Sequence, residues 1–90
     1  MQTHRVKSWP HLFHAVVEGV KLHELRRNDR GYQIGDILLL EEYVPETTQY
    51  TGRSFQVRIT YVTSPSVPCA VSSEALHSDF CILSIEPTTL

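Results

Sequence analysis

Ninety residues with a net charge of -2, 41% hydrophobic and 20% charged, fit one globular domain with a single modest core. A chain this short buries only about 60% of the surface that its unfolded form exposes. The charge excludes polyanion binding by bulk attraction, so any nucleic-acid contact requires a local basic patch.

The N-terminal MQTHRVKSW has no apolar h-region, so no secretory signal is expected. Residues 3–8 alternate weakly and read as a short strand. Pro10 suits the first turn of a helix, where its fixed φ helps and its missing N–H is not needed. Leu12, Phe13, Val16, Val17 and Val20 then fall on one face at helical period. Gly19 can adopt the left-handed conformation that ends a helix, so the spacing predicts a helix over Pro10 to Glu18. Lys21 to Arg26 reads as a strand anchored by Leu22 and Leu25. Asn28-Asp29-Arg30-Gly31 and Gly35-Asp36 are turn chemistry.

Ile37 to Tyr43 opens on a continuous apolar run and is predicted as a strand buried on both faces. Pro45 to Gly52 reads as a polar loop. In Phe55 to Thr63, Phe55, Val57, Ile59 and Tyr61 alternate with Gln56, Arg58 and Thr60, the clearest strand pattern in the chain. Residues 64–79 hold Pro65 and Pro68 and at most one helical turn near Ser73 to His77. Phe80 to Ile85 is a closing strand. One helix cannot cover both faces of a five-stranded open sheet. The predicted fold is therefore α+β but mainly β: a small curled sheet or barrel of about five strands, with one helix after the first strand.

Two cysteines, Cys69 and Cys81, are too few for a disulfide framework and form no Cys-x-x-Cys pair. Cys81 lies within an apolar strand and reads as a core thiol. Cys69 follows a proline in a loop, with nothing in the neighbouring sequence to activate it. The longest aliphatic run, Ile37 to Leu40, is far too short to cross a bilayer. A cytoplasmic, monomeric protein is the default expectation. No P-loop or zinc pattern is present, and no metal or other cofactor is implied. His11 and His14 lie a helical turn apart without an evident third ligand, so they read as exposed.

Chemistry concentrates in Gly19 to Arg30, which holds Lys21, Arg26, Arg27 and Arg30 together with His23, Glu24 and Asp29. Glu24 and Arg26 share one face of a strand. Lys21 joins them only if the chain bends just after Gly19. The three residues form either a solvated ion pair of little energetic value or a mixed acid–base site. In the second case the carboxylate accepts from an exocyclic amine and the guanidinium forks onto phosphate or stacks on a base. Asn28 and Asp29 read as turn residues whose side chains bond the local backbone. Arg27 and Arg30 are candidate phosphate contacts, and Arg53 and Arg58 extend the basic track if the fold brings them near. Trp9 and Tyr32 either stack on unpaired bases or pack in the core. Tyr50 and Tyr61 read as packing residues.

The run Gly19-Val20-Lys21-Leu22-His23-Glu24-Leu25-Arg26 resembles the G-x-K-x-x-E-x-R signature of ASCH domains in the PUA-like superfamily. Arg27-Asn28-Asp29-Arg30, Tyr32, Gly35-Asp36-Ile37-Leu38 and Tyr50-Thr51-Gly52-Arg53 resemble a narrower group within it, the DUF3850 family of small bacterial and phage proteins. The resemblance implies a PUA-like barrel whose signature segment lines a cleft beside the helix. It implies binding of RNA or a modified nucleoside, with Lys21, Glu24 and Arg26 at the centre and Arg27, Arg30, Trp9 and Tyr32 around them. Some ASCH relatives deacetylate N4-acetylcytidine with a Thr nucleophile three residues after the lysine. Here that position is Glu24, which favours binding over turnover, and if the chain is an enzyme Lys21 and Glu24 are its candidate residues. Glu74 and Glu86 are the candidates for the acid that those enzymes take from a later segment. A phage-type scaffold for protein interaction is the further alternative.

Overall fold

The alternation in Thr3–Ser8 forms strand β1, with His4, Val6 and Ser8 turned inward and Thr3, Arg5 and Lys7 turned outward. The computed structural model describes residues 1–88. Helix α1 (Pro10–Val17) follows, with proline in its first turn as the sequence predicts. Its end is a Schellman motif: Gly19 N–H donates to the Val16 carbonyl and Val20 N–H to the Ala15 carbonyl, both at 3.0 Å, with Gly19 at φ +79. Gly19→Ala is expected to cost about 1 kcal/mol in urea unfolding, because a Cβ disfavours this left-handed conformation.

Only Phe13 and Val16 of the predicted apolar stripe are buried, whereas Leu12, Val17 and Val20 are exposed. A two-turn helix resting on one strand covers a narrow strip of its own surface. Strand β2 (His23–Arg27) begins later than its sequence suggests. Leu22 and Leu25 do not anchor it. Both are exposed, and Glu24 takes the inward position, because strand alternation puts Leu25 on the opposite face.

Strand β3 (Ile37–Val44) buries Ile37, Leu38 and Leu40 as expected, with Leu39 only partly covered. Strand β4 (Gln49–Thr63) is longer than predicted. The polar stretch Pro45 to Gly52 is a loop only over 45–48. Residues 49–52 belong to β4, and Gln49 and Tyr50 pair with β3 in a hairpin, opposite Val44 and Tyr43. The ladder is irregular beyond Tyr50, where Gly52 stands at φ +93. Helix α2 (Ser72–Ala75) is the single turn expected in the proline-containing segment, and β5 (Phe80–Pro87) closes the chain.

The five strands form one sheet in the order β1-β3-β4-β5-β2, with β1 and β3 parallel and the other pairs antiparallel. The sheet curls into a half-barrel around Val6, Leu38, Leu40, Val57, Ile59, Leu83 and Ile85, with Phe13 and Val16 of α1 packed into it. The mainly β architecture with one helix after the first strand is the one that the sequence predicts. Curling brings the two edge strands, β1 and β2, to face each other across a seam. Guanidinium groups bridge it: Arg26 donates to the Lys7 carbonyl at 2.6 Å, and Arg30 to the Arg5 carbonyl at 2.7 Å. Side chains thus satisfy carbonyls of an edge strand that would otherwise face water or another strand. No helix among the described residues is long and apolar enough to cross a membrane.

Candidate functional site

The Schellman turn decides whether Lys21, Glu24 and Arg26 meet. It bends the chain before β2, and Lys21 N–H donates to the Ala15 carbonyl at 3.1 Å. The Lys21 side chain is thereby turned onto the inward face of β2. Its ammonium donates to Glu24 Oε2 at 2.5 Å and to the His23 carbonyl. Arg26 Nε stands 3.7 Å from Glu24 Oε1, too far for a hydrogen bond, and this buried N–H has no partner among the described residues. Glu24 is therefore a buried carboxylate between two cations, with side chains 15% exposed for Lys21 and 22% for Arg26.

This triad lines a cleft of about 560 Å³ together with Lys7, Ser8, Trp9, Leu12 and Leu25. Trp9 precedes α1 at its N-cap, 40% exposed, its ring 5.8 Å from that of Tyr43. The aromatic row continues to Tyr50, 4.9 Å from Tyr43, and Lys7 Nζ lies 4.4 Å over the Tyr43 ring. Along the same seam is a second cleft of about 320 Å³, lined by Arg5, Lys7, Arg26, Arg27 and Arg30 with Asp29 and Tyr50. Lys7 and Arg26 line both clefts. The seam is the local basic patch that a chain of net charge -2 needs for contact with an anion.

Other candidates fall elsewhere. Tyr32 borders the second cleft but is a core residue, 8% exposed, with its ring edge-on to His4 at 4.8 Å. Burial pushes its phenol upward. Tyr50 is not a packing residue: it is half exposed at the cleft wall, because the hairpin carries it to the seam. Tyr61 is likewise half exposed, on the outward side of β4. Asn28 and Asp29 do not bond the local backbone through their side chains among the described residues. Asn28 instead donates its main-chain N–H to the Asp79 carbonyl at 2.7 Å. Arg53 and Arg58 do not extend the basic track. They lie on β4, away from the seam, paired with Glu42 at 2.7 Å and with Glu86 at 3.4 Å. Glu86 is thus committed to Arg58, and Glu74 lies in α2; neither lines the cleft of Lys21 and Glu24.

His11 and His14 are both exposed, as the sequence suggests, and His14 stands 3.2 Å from Glu42. No group of three metal-ligating side chains occurs among the described residues. Cys81 is buried, which raises its thiol. Cys69 is exposed, and the Val71 backbone and the Ser72 hydroxyl pull its thiol downward, an influence that only the folded loop reveals.

Two further buried carboxylates, Asp36 and Glu42, lie outside both clefts. Asp36 accepts from Gln2 N–H at 3.0 Å, Gln33 N–H at 3.1 Å and His4 Nε2 at 2.9 Å. Burial pushes its carboxyl up, but the bonds from His4, Gln2 and Gln33 outweigh this and hold it below the usual range. Glu42 Oε1 accepts from the Thr51 hydroxyl and Arg53 Nε, each at 2.7 Å, where β4 is irregular. The Thr51 bond, against burial and with the help of Arg53, holds Glu42 low as well. Sequence reasoning missed Arg5, Lys7 and the Tyr43–Tyr50 row at the seam. The outward positions of β1 hint at the first two, but nothing in the sequence shows that β1 faces β2.

The chain is 44% identical over 63 residues to a protein of Escherichia phage P2 described as "Uncharacterized 12.9 kDa protein in GpA 3'region". That match takes in 70% of this chain and 56% of the phage protein, so the chain spans little more than half the length of the curated relative. The family model for a domain of unknown function, DUF3850, matches residues 3–85. These residues run from β1 into β5 and carry the whole seam, and the chain accordingly belongs to the DUF3850 family.

Proposed function

We propose that the protein is an RNA-binding module of the ASCH, PUA-like type, which holds a nucleobase of a nucleotide or short single strand in the cleft of Lys21, Glu24 and Arg26. The observation that carries this reading is the convergence of that triad with Trp9 on one cavity. Its volume suits a small ligand, for which about 300–1,000 Å³ is usual. Glu24 offers acceptor capacity for an exocyclic amine, and the Arg26 guanidinium, which lines the cleft and gives one terminal N–H to the Lys7 carbonyl, keeps further terminal N–H donors for a ring nitrogen or carbonyl. Trp9 and Leu12 supply the apolar walls against which an unstacked base rests. The row Trp9–Tyr43–Tyr50 along a cationic seam is the combination that sequence-tolerant single-strand binding uses.

Binding fits this site better than hydrolysis of a nucleoside amide. The Lys21 ammonium is committed to Glu24 and to the His23 carbonyl, so it is poorly disposed to act as a base. The test titrates short single-stranded RNA oligomers into wild type and Glu24→Ala/Arg26→Ala, following Trp9 fluorescence. Saturable quenching in the wild type and at least ten-fold weaker binding in the double variant are expected. No binding by the wild type, or equal binding by both, refutes the reading. Incubation with N4-acetylcytidine separates the enzymatic alternative, which requires turnover above the buffer rate.

A further inference from the structure

We infer that the second seam cleft, lined by Lys7, Arg27 and Arg30, is a phosphate site, which receives the phosphate of the nucleotide whose base occupies the neighbouring cleft. This deepens the RNA-binding reading and rests on it for the identity of the ligand, but the charge distribution argues for an anion independently.

The chain has eight Lys and Arg residues. Five of them, Lys21, Arg26, Arg5, Arg53 and Arg58, stand within 4 Å of a carboxylate. Lys7, Arg27 and Arg30 do not among the described residues, and all three line the second cleft. The cations left without a carboxylate therefore converge on one concave site, although the chain as a whole is negative. Asp29 is the only acid among the lining residues.

The heads of these three residues are steered rather than loose. Lys7 Nζ lies over the Tyr43 ring at 4.4 Å, and the Arg27 guanidinium is 5.1 Å from the centre of the Phe80 ring. Arg30 spends one N–H on the Arg5 carbonyl at 2.7 Å, which fixes its plane and leaves its other donors available. Two guanidinium groups and an ammonium in a cleft of about 320 Å³ suit a tetrahedral dianion, which accepts forked bonds from arginine and a point charge from lysine. Lys7 and Arg26 line both clefts, so a base in one and its phosphate in the other occupy adjacent space.

The test compares wild type with Lys7→Gln/Arg27→Gln. Both bridges across the seam survive in this variant, because the acceptor at Lys7 is its main-chain carbonyl and Arg26 and Arg30 are retained. Inorganic pyrophosphate is titrated first, followed by the side-chain N–H signals of Arg27 and Arg30 in NMR. Saturable shifts at Arg30 in wild type that weaken at least ten-fold in the variant are expected. No shift with pyrophosphate, or an equal response of the variant, overturns the site whether or not RNA binds.

A cytidine, cytidine monophosphate and RNA pentamer series then identifies the source of the phosphate. The monophosphate should bind at least ten-fold tighter than cytidine in wild type and lose that advantage in the variant. For the pentamer, the slope of log affinity against log salt should fall by about 1.4 in the variant, about 0.7 for each lost contact. Pyrophosphate binding without any response to the three nucleotide probes would retain the anion site, overturn its assignment to a nucleotide and leave the base cleft as the failed part.

Discussion

Asp36→Ala is expected to lower stability by about 3 kcal/mol at neutral pH, among the largest losses available to a single substitution in this chain. Asp36 collects the start of β1 and the turn before β3 on one buried carboxylate, through Gln2, His4 and Gln33. A carboxylate only accepts, so His4 carries its proton on Nε2 and donates. Alanine would leave that N–H and two main-chain N–H groups without partners and would loosen the His4–Tyr32 contact beneath the seam.

The effect depends on pH with a definite sign. The folded-state carboxyl is held below its ordinary value, so its stabilisation is fully present above the unfolded value of about 4 and is lost as pH falls through the lower folded value. In urea unfolding at pH 7 and at descending pH, the gap between wild type and Asp36→Ala should narrow below about pH 4. Glu42 is depressed too, but both proteins retain it, so its loss cancels in the difference. A gap that stays constant down to the acid limit would refute the role assigned to Asp36.

Glu24→Ala is expected to cost about 2–3 kcal/mol, more than the double variant Glu24→Ala/Arg26→Ala. The single change removes the carboxylate that two mostly buried cations share, and strands both charges in the cleft wall. The double change strands only the Lys21 charge; it also removes the Arg26 bond to the Lys7 carbonyl, a solvent-exposed contact that water replaces. Residues in one network are not additive, so a rescue of about 1 kcal/mol by the second mutation is the signature of the shared carboxylate. Additive losses in urea unfolding would mean that the Arg26–Glu24 approach at 3.7 Å carries no energy. The same comparison makes the double variant the better protein for the RNA titration, since more of it remains folded.

Local pattern carried much of the architecture. Pro10 and Gly19 mark the bounds of α1 because one fixes φ and the other tolerates φ +79, both properties of single residues. The alternation of Phe55 to Ile59 and the apolar run at Ile37 identify β4 and β3 because burial at period 2 leaves a trace in the sequence itself. The hairpin was less legible. Its residues from Gln49 to Gly52 look like part of a polar loop, yet Gln49 and Tyr50 pair because the preceding strand presents its edge to them.

The sequence by itself determined a mainly β domain with a helix after the first strand, and it marked Gly19 as the place where a bend would let Lys21 reach Glu24. Tertiary structure alone decided what surrounds that pair. Parallel pairing of β1 with β3, and antiparallel pairing of β2 with β5 at the far end, leave two edges that the curl of the sheet turns toward each other. Arg5 and Lys7 meet Arg26, Arg27 and Arg30 across about twenty residues of chain only because of that closure. Arg53 and Arg58, equally basic in sequence, are carried away from the seam and paired with acids. Periodicity records which face of a strand is buried, whereas the partner across a seam depends on strand order and curl, which no local pattern encodes.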